Sequence, residues 1–137
     1  MSQQITMTEQ EQQQWVRDQY QVATKFLAEK GLLTESVAEK ESKYLIPYLA
    51  IWKINLTDKS SVWAVSGDLP TDFSALSVAQ DAREAVRHFS FKWQMKADEL
   101  LKNEDKEQEQ FAKLLISRAE GLYDLFDKDD LWQQQTA

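Results

Sequence analysis

The stretch from Tyr48 to Asp72 constrains this chain more than any other. From Tyr48 the apolar residues recur with a period of two: Tyr48, Ala50, Trp52, Ile54 and Leu56 share one face, and Leu49, Ile51, Lys53 and Asn55 share the other. Thr57 to Ser60 are turn residues, and Val62 to Val65 form a returning strand. The pattern predicts an antiparallel hairpin over about 46–56 and 61–66. Its second face is only half apolar, so one side is expected to meet solvent. The loop Ser66-Gly67-Asp68-Leu69-Pro70-Thr71-Asp72 follows, holding one of three glycines and one of two prolines in the chain. Backbone shape is specified most closely there, and a site is expected on or beside it.

The flanking sequence reads as helix. Thr8 and Glu11 have the spacing of a capping box, in which each side chain bonds an otherwise orphan amide at the other residue. Trp15, Val16, Tyr20, Ala23 and Leu27 then form one stripe. Gly31 stands where a left-handed residue would stop a helix over 9–30. Leu32 to Ser42 is ambiguous, with a short edge strand near 33–38 and a solvated turn at Glu39 to Ser42. Phe73 to Ser77 is expected to make one irregular helical turn. Asp81 with Glu84 offers a second capping box before a stripe of Ala85, Val86, Phe89, Trp93, Ala97, Leu100 and Leu101 over 82–102. Phe111, Leu114, Leu115, Arg118, Leu122, Leu125 and Phe126 mark a third helix over 106–127. The short break at Asn103 makes the second and third helices antiparallel neighbours.

A two-stranded hairpin is marginal alone. The expected fold is therefore α+β: a small antiparallel sheet of two or three strands, packed by three helices on the face carrying Trp52. At 137 residues the chain is read as a single domain, 1–137, with residues 1–7 and 133–137 frayed.

Bulk chemistry narrows the function classes. With no cysteine, disulfides, thiolate metal sites and cysteine nucleophiles drop out. The longest apolar run, Tyr44 to Trp52, is far short of the roughly 20 residues a membrane span needs. The start carries no secretory signal. A cytoplasmic protein that contacts no membrane is expected. A net charge of −7 repels phosphates, so nucleic acid is not an expected partner. It favours a basic protein partner or a cation, and it also serves plain solubility.

Four candidate sites stand out. In the loop, Asp68 and Asp72 could converge on a cation or act as an acid–base pair, with Ser66 and Thr71 adding hydroxyls beside the permissive Gly67. Equally, Asp68, Thr71 and Asp72 could bond nearby amides in a structural turn. His88, the only histidine, faces Glu84 one helical turn back, as a general base or a surface ion pair. Of the five tryptophans, Trp15, Trp52 and Trp93 lie on apolar faces, whereas nothing expected covers Trp63 or Trp132. Arg83 and Arg87, one turn apart, could clamp an anion or join a solvated network. Arg118 falls within an apolar stripe and needs a carboxylate, with Asp68 or Asp72 the expected partner. No phosphate loop, nucleophile elbow, zinc motif or dinucleotide fingerprint is found in the sequence. No catalytic residue, metal site or cofactor is assigned.

At YLAIWKI, VWAVSGDLPTD, AREAVRHFSFKW and LLISRAEGLYDLF, the chain resembles a family of short bacterial proteins of unknown function. The resemblance runs from Trp15 to Trp132 and implies one small domain, but no activity, cofactor or catalytic residue.

The leading expectation is a non-enzymatic interaction domain: an acidic inhibitor or immunity-like protein that masks a basic partner. The sequence is also compatible with a homodimer, joined through the hairpin edge with Trp63 at its centre. The alternative is a small-molecule-binding protein or hydrolytic enzyme using Asp68, Asp72 and His88.

Overall fold

The computed structural model describes residues 7–103 and 105–133. The expected fraying at the two ends falls mainly on residues 1–6 and 134–137, outside the described residues. The chain divides into two compact units, Met1–Leu76 and Ser77–Ala137.

The first unit opens with α1 (Glu9–Glu29). Its start is the expected capping box: the Glu11 amide donates to Thr8 Oγ1 at 3.1 Å, and the Thr8 amide donates to Glu11 Oε1 at 3.2 Å. Its end is a Schellman motif. Gly31 takes φ +81°, its amide donates to Ala28 O, and the Leu32 amide reaches back to Leu27 O, both at 2.9 Å.

Five antiparallel strands follow, more than the two or three expected: β1 (Thr34–Val37), β2 (Lys43–Leu45), β3 (Leu49–Leu56), β4 (Ser61–Gly67) and β5 (Asp72–Ala75). The order is β1-β3-β4-β5, and β2 also pairs with β3. Val37 lies opposite Ile54 and Lys43 opposite Ile51, so β1 and β2 run end to end along one edge of β3. A 3-10 turn at Glu39–Glu41 interrupts that edge. Across the gap the Ala38 amide donates to Lys53 O at 2.8 Å, and the Lys53 amide donates to Ser42 Oγ at 3.0 Å. Side chain thus replaces backbone where the ladder is broken, and Lys53 keeps both its main-chain bonds.

Two expectations need correction here. Residues 72–75 form β5, and the helical turn is a 3-10 segment at Leu76–Val78. Phe73 sits opposite Ala64, and Ser74 opposite Trp63, so pairing with β4 decides this segment. The second face of the hairpin is also not a solvent side. Leu49, Ile51, Trp63 and Val65 are buried as well as Ala50, Trp52, Ile54, Val62 and Ala64. A near-continuous apolar run, rather than strict alternation, is what strands buried on both faces require.

α1 lies over the Trp52 face of the sheet. Ala23 and Leu27 join Ala50, Trp52, Ile54, Leu56, Val62 and Ala64 in one core, with Trp15, Val16, Tyr20, Tyr44 and Phe73 packed around it. The rings of Tyr20 and Tyr44 flank the Trp52 indole at 5.3 and 5.0 Å. The indole N–H donates to Ser66 Oγ at 2.9 Å, and the Ser66 hydroxyl donates in turn to Gln19 O of α1 at 3.0 Å. Helix and sheet are joined by this buried polar chain as well as by packing.

The second unit is a helical hairpin, α2 (Ala82–Leu101) and α3 (Lys106–Phe126), closed by a 3-10 turn at Asp129–Trp132. The antiparallel pairing is as expected. Ser90 and Ala97 are buried on α2, and Ala112 and Ala119 on α3. Ser90 Oγ donates to Ala119 O at 2.7 Å, a contact that such small side chains permit. The second capping box is only half formed: Asp81 Oδ1 accepts from the Glu84 amide at 2.8 Å, but Glu84 Oε2 accepts from Gln80 rather than Asp81. No helix among the described residues is long and apolar enough to cross a membrane.

Two predictions follow from the first unit. Ser66→Ala strands the Trp52 N–H and is expected to cost about 1–3 kcal/mol in denaturant unfolding. Combined with Trp52→Phe it should cost less than the sum of the two changes, because they break one shared bond; strict additivity would separate the two residues. The second prediction concerns alkali. Burial raises the Tyr20 phenol above its ordinary value, and burial first, then the Glu39 charge and Tyr20, raises the Tyr44 phenol. Both neutral phenols favour the fold, so their contribution is complete below the ordinary phenol value of 10.0 and is lost as pH rises through the higher folded values. The denaturant midpoint of the native chain should therefore fall more steeply above about pH 10 than that of Tyr20→Phe/Tyr44→Phe. Parallel curves would show that neither phenol is linked to folding.

Candidate functional site

The Ser66–Asp72 loop is built into the sheet. Ser66 is buried and fully engaged between Trp52 and Gln19. Gly67 ends β4 at φ +138°, and a Cβ there would lie 2.5 Å from Tyr48 O and 2.6 Å from the Leu49 Cα. The glycine is needed because the turn leading into β3 runs directly against it. The Asp68 amide donates to the same Tyr48 O at 2.8 Å, while its side chain is exposed. Asp72 Oδ1 accepts from the Phe73 amide at 2.8 Å at the start of β5. Thr71 is half-buried. No group of three or more His, Cys, Asp or Glu side chains suited to a metal occurs among the described residues.

The other candidates are scattered. Trp63 is 1 % exposed, which overturns the expectation that nothing covers it and removes it as the centre of an edge-to-edge dimer. Trp132 is half-buried, and its indole N–H donates to Leu125 O at 2.9 Å, so the tail folds back on α3. His88 is half-buried with its ring edge on Phe89 at 5.4 Å. Arg118 lacks its expected carboxylate: Nε is buried with no hydrogen-bond partner, and the residue makes no ion pair among the described residues.

One group of candidates does come together. Arg83 Nε donates to Phe126 O at 2.9 Å, and Arg83 Nη2 meets Asp129 Oδ1 at 2.6 Å. Its guanidinium also lies over the Phe126 ring at 5.2 Å. Arg83 thereby satisfies an orphan carbonyl at the C-terminus of α3, where a cation also complements the helix dipole. Arg87 is exposed and spans two rings, at 5.2 Å from Phe91 and 5.8 Å from Phe126. Tyr123 completes the group, 6.2 Å from Phe91 and 5.7 Å from Phe126. Phe91 and Tyr123 are each 41 % exposed.

The two arginines therefore differ. Arg83 is committed to α3 and ion-paired with Asp129, so a clamp made by the pair would have only one arm. Arg87 makes no ion pair among the described residues, and its exposed guanidinium lies over two aromatic rings. Sequence reasoning missed Phe91 and Tyr123. The available signal was Arg83, Arg87 and Phe91 at four-residue steps, outside the apolar stripe of their helix.

A family model described as a domain of unknown function (DUF4826) matches residues 9–132. No curated protein and no solved structure matches the chain.

Gly67→Ala should be among the most damaging single changes in the loop. Left-handed strain and a backbone collision together are expected to cost roughly 2–5 kcal/mol in chemical denaturation. Asp68→Ala, at an exposed side chain, should stay within about 0.5 kcal/mol of the native chain. A Gly67→Ala protein as stable as the native one would refute the steric account of this loop.

Proposed function

The chain belongs to the DUF4826 family of unknown function, and from the chemistry of its own surface we propose that it is a non-enzymatic protein-interaction domain whose contact face is Arg87, Phe91, Tyr123 and Phe126. The observation that carries this reading is Arg87: an arginine without an ion pair among the described residues, set over two aromatic rings on an otherwise acidic chain. Arginine and tyrosine are the side chains enriched where binding energy concentrates, and a guanidinium already ordered by stacking loses less freedom on binding.

The finer form is an acidic inhibitor that masks a basic partner. Net charge −7 and the exposed carboxylates of Asp124, Asp127 and Asp130, close in sequence to Tyr123 and Phe126, support steering of a basic surface. Arg87 then sets register by donating two parallel hydrogen bonds to a single carboxylate of that partner.

Affinity capture from the native cell with quantitative mass spectrometry tests the face. The expected result is a partner enriched by the native chain and lost with both Arg87→Glu and Tyr123→Ala, while Asp68→Ala retains it. Identical partner sets for the native chain and both face variants would overturn the assignment. Loss with Asp68→Ala alone would move the site to the loop.

A further inference from the structure

α3 carries a second stripe, distinct from the one that packs on α2. Its α2 seam uses Ala112, Leu115, Ala119 and Leu122. On the adjoining flank Glu107, Phe111, Leu114, Arg118, Gly121 and Leu125 follow one another at alternating steps of four and three residues. That is the spacing of a coiled-coil seam. The stripe is open. Phe111 is 45 % and Leu114 39 % exposed, Glu107 and Gly121 are exposed, and a Cβ on Gly121 would meet nothing within 4 Å. Arg118 adds a buried Nε without a partner. Neither Glu107 nor Arg118 makes a side-chain ion pair among the described residues; the ion pair on this helix is Lys113 with Glu109, at 3.3 Å.

We propose that this flank binds a second copy of the chain, with the two α3 helices antiparallel about a two-fold axis between Ala112 and Lys113. The first four positions of the stripe, Glu107, Phe111, Leu114 and Arg118, are self-complementary about that point and about no parallel alignment; Gly121 and Leu125 lie beyond the overlap of the two helices. In an antiparallel seam each layer pairs the two kinds of core position. Centring the axis there sets Phe111 against Leu114 of the second copy, and Glu107 against its Arg118. The two-fold repeats both contacts, as an isologous interface must. Apolar pairs occupy the middle and opposite charges close each end. Reversing one chain is essential: a parallel dimer would place Arg118 beside Arg118 and Glu107 beside Glu107, a like-charge arrangement. The carboxylate of the second copy also gives the Arg118 side chain an ion-pair partner, which it does not have among the described residues. The opposing force is the charge of −7 on each copy, which salt screens beyond about 10 Å at 0.1 M.

Sedimentation equilibrium of the full chain at about 0.1 M salt tests the contact. The native mass should rise from 16.0 kDa toward twice that value with concentration. Glu107→Arg and Arg118→Glu should each weaken association by about tenfold or more, since each change sets like charges together at both ends. The double variant Glu107→Arg/Arg118→Glu restores opposite charges and should associate as the native chain does. Glu107 is exposed, so Glu107→Arg reads the contact even if Arg118→Glu fails to fold. A native mass that stays at 16.0 kDa, a Glu107→Arg protein that associates unchanged, or a double variant no tighter than the Glu107→Arg single variant would each overturn the proposal.

Discussion

The hydrogen-bonded chain from the Trp52 indole through Ser66 to the Gln19 carbonyl ties together three segments of the first unit. Trp52 is central in β3, Ser66 lies at the end of β4, and Gln19 is midway along α1. Apolar burial alone would allow α1 to slide over the sheet, because hydrophobic contact is non-directional. A buried N–H and a buried hydroxyl admit far fewer positions, since either left unmade carries a desolvation cost. Tyr20 and Tyr44 complete this arrangement by holding the indole between them. Gly67 follows directly, and its left-handed backbone lets the Tyr48 carbonyl pass against it at the start of β3.

In the second unit polar groups also set position within an apolar seam. Ser90 bonds a carbonyl of α3 across small residues. Arg83 satisfies Phe126 O, and Trp132 adds a side-chain donor at Leu125 O, which also accepts from the Lys128 amide. With the end of the helix held in this way, Phe126 and Tyr123 are brought to Arg87 and Phe91. The Arg87, Phe91, Tyr123 and Phe126 cluster is thus tied to the way α3 ends, and no residue in it has a positive φ.

How much of this was legible depends on how far apart the interacting residues lie. The capping box at Thr8 and Glu11 and the Schellman turn at Gly31 involve neighbours within five residues, and both stand where the sequence places them. The three long helices and the central hairpin were legible for the same reason: their periodicity is local. β2 and β5 were not. Three- and four-residue strands carry too little pattern of their own, and it is pairing with β3 and β4 that extends them. In the candidate loop, the freedom of Gly67 to take a positive φ was legible, but the close approach of Tyr48 O and the burial of Ser66 were not, because Tyr48 lies across the hairpin and Gln19 is 47 residues away.

Taken by itself, the sequence determined the helices, their ends, the β3–β4 hairpin and the absence of cysteine chemistry. Each rests on residue type and near-neighbour spacing, which act before any distant part of the chain arrives. Tertiary structure alone decided that Trp63 is buried, that Arg83 is spent on α3 while Arg87 makes no ion pair among the described residues, and that Arg118 Nε meets no hydrogen-bond partner among them. Those outcomes turn on which side chains meet across helices and strands. A side chain's charge and size are written in the sequence, but its partner is selected by packing.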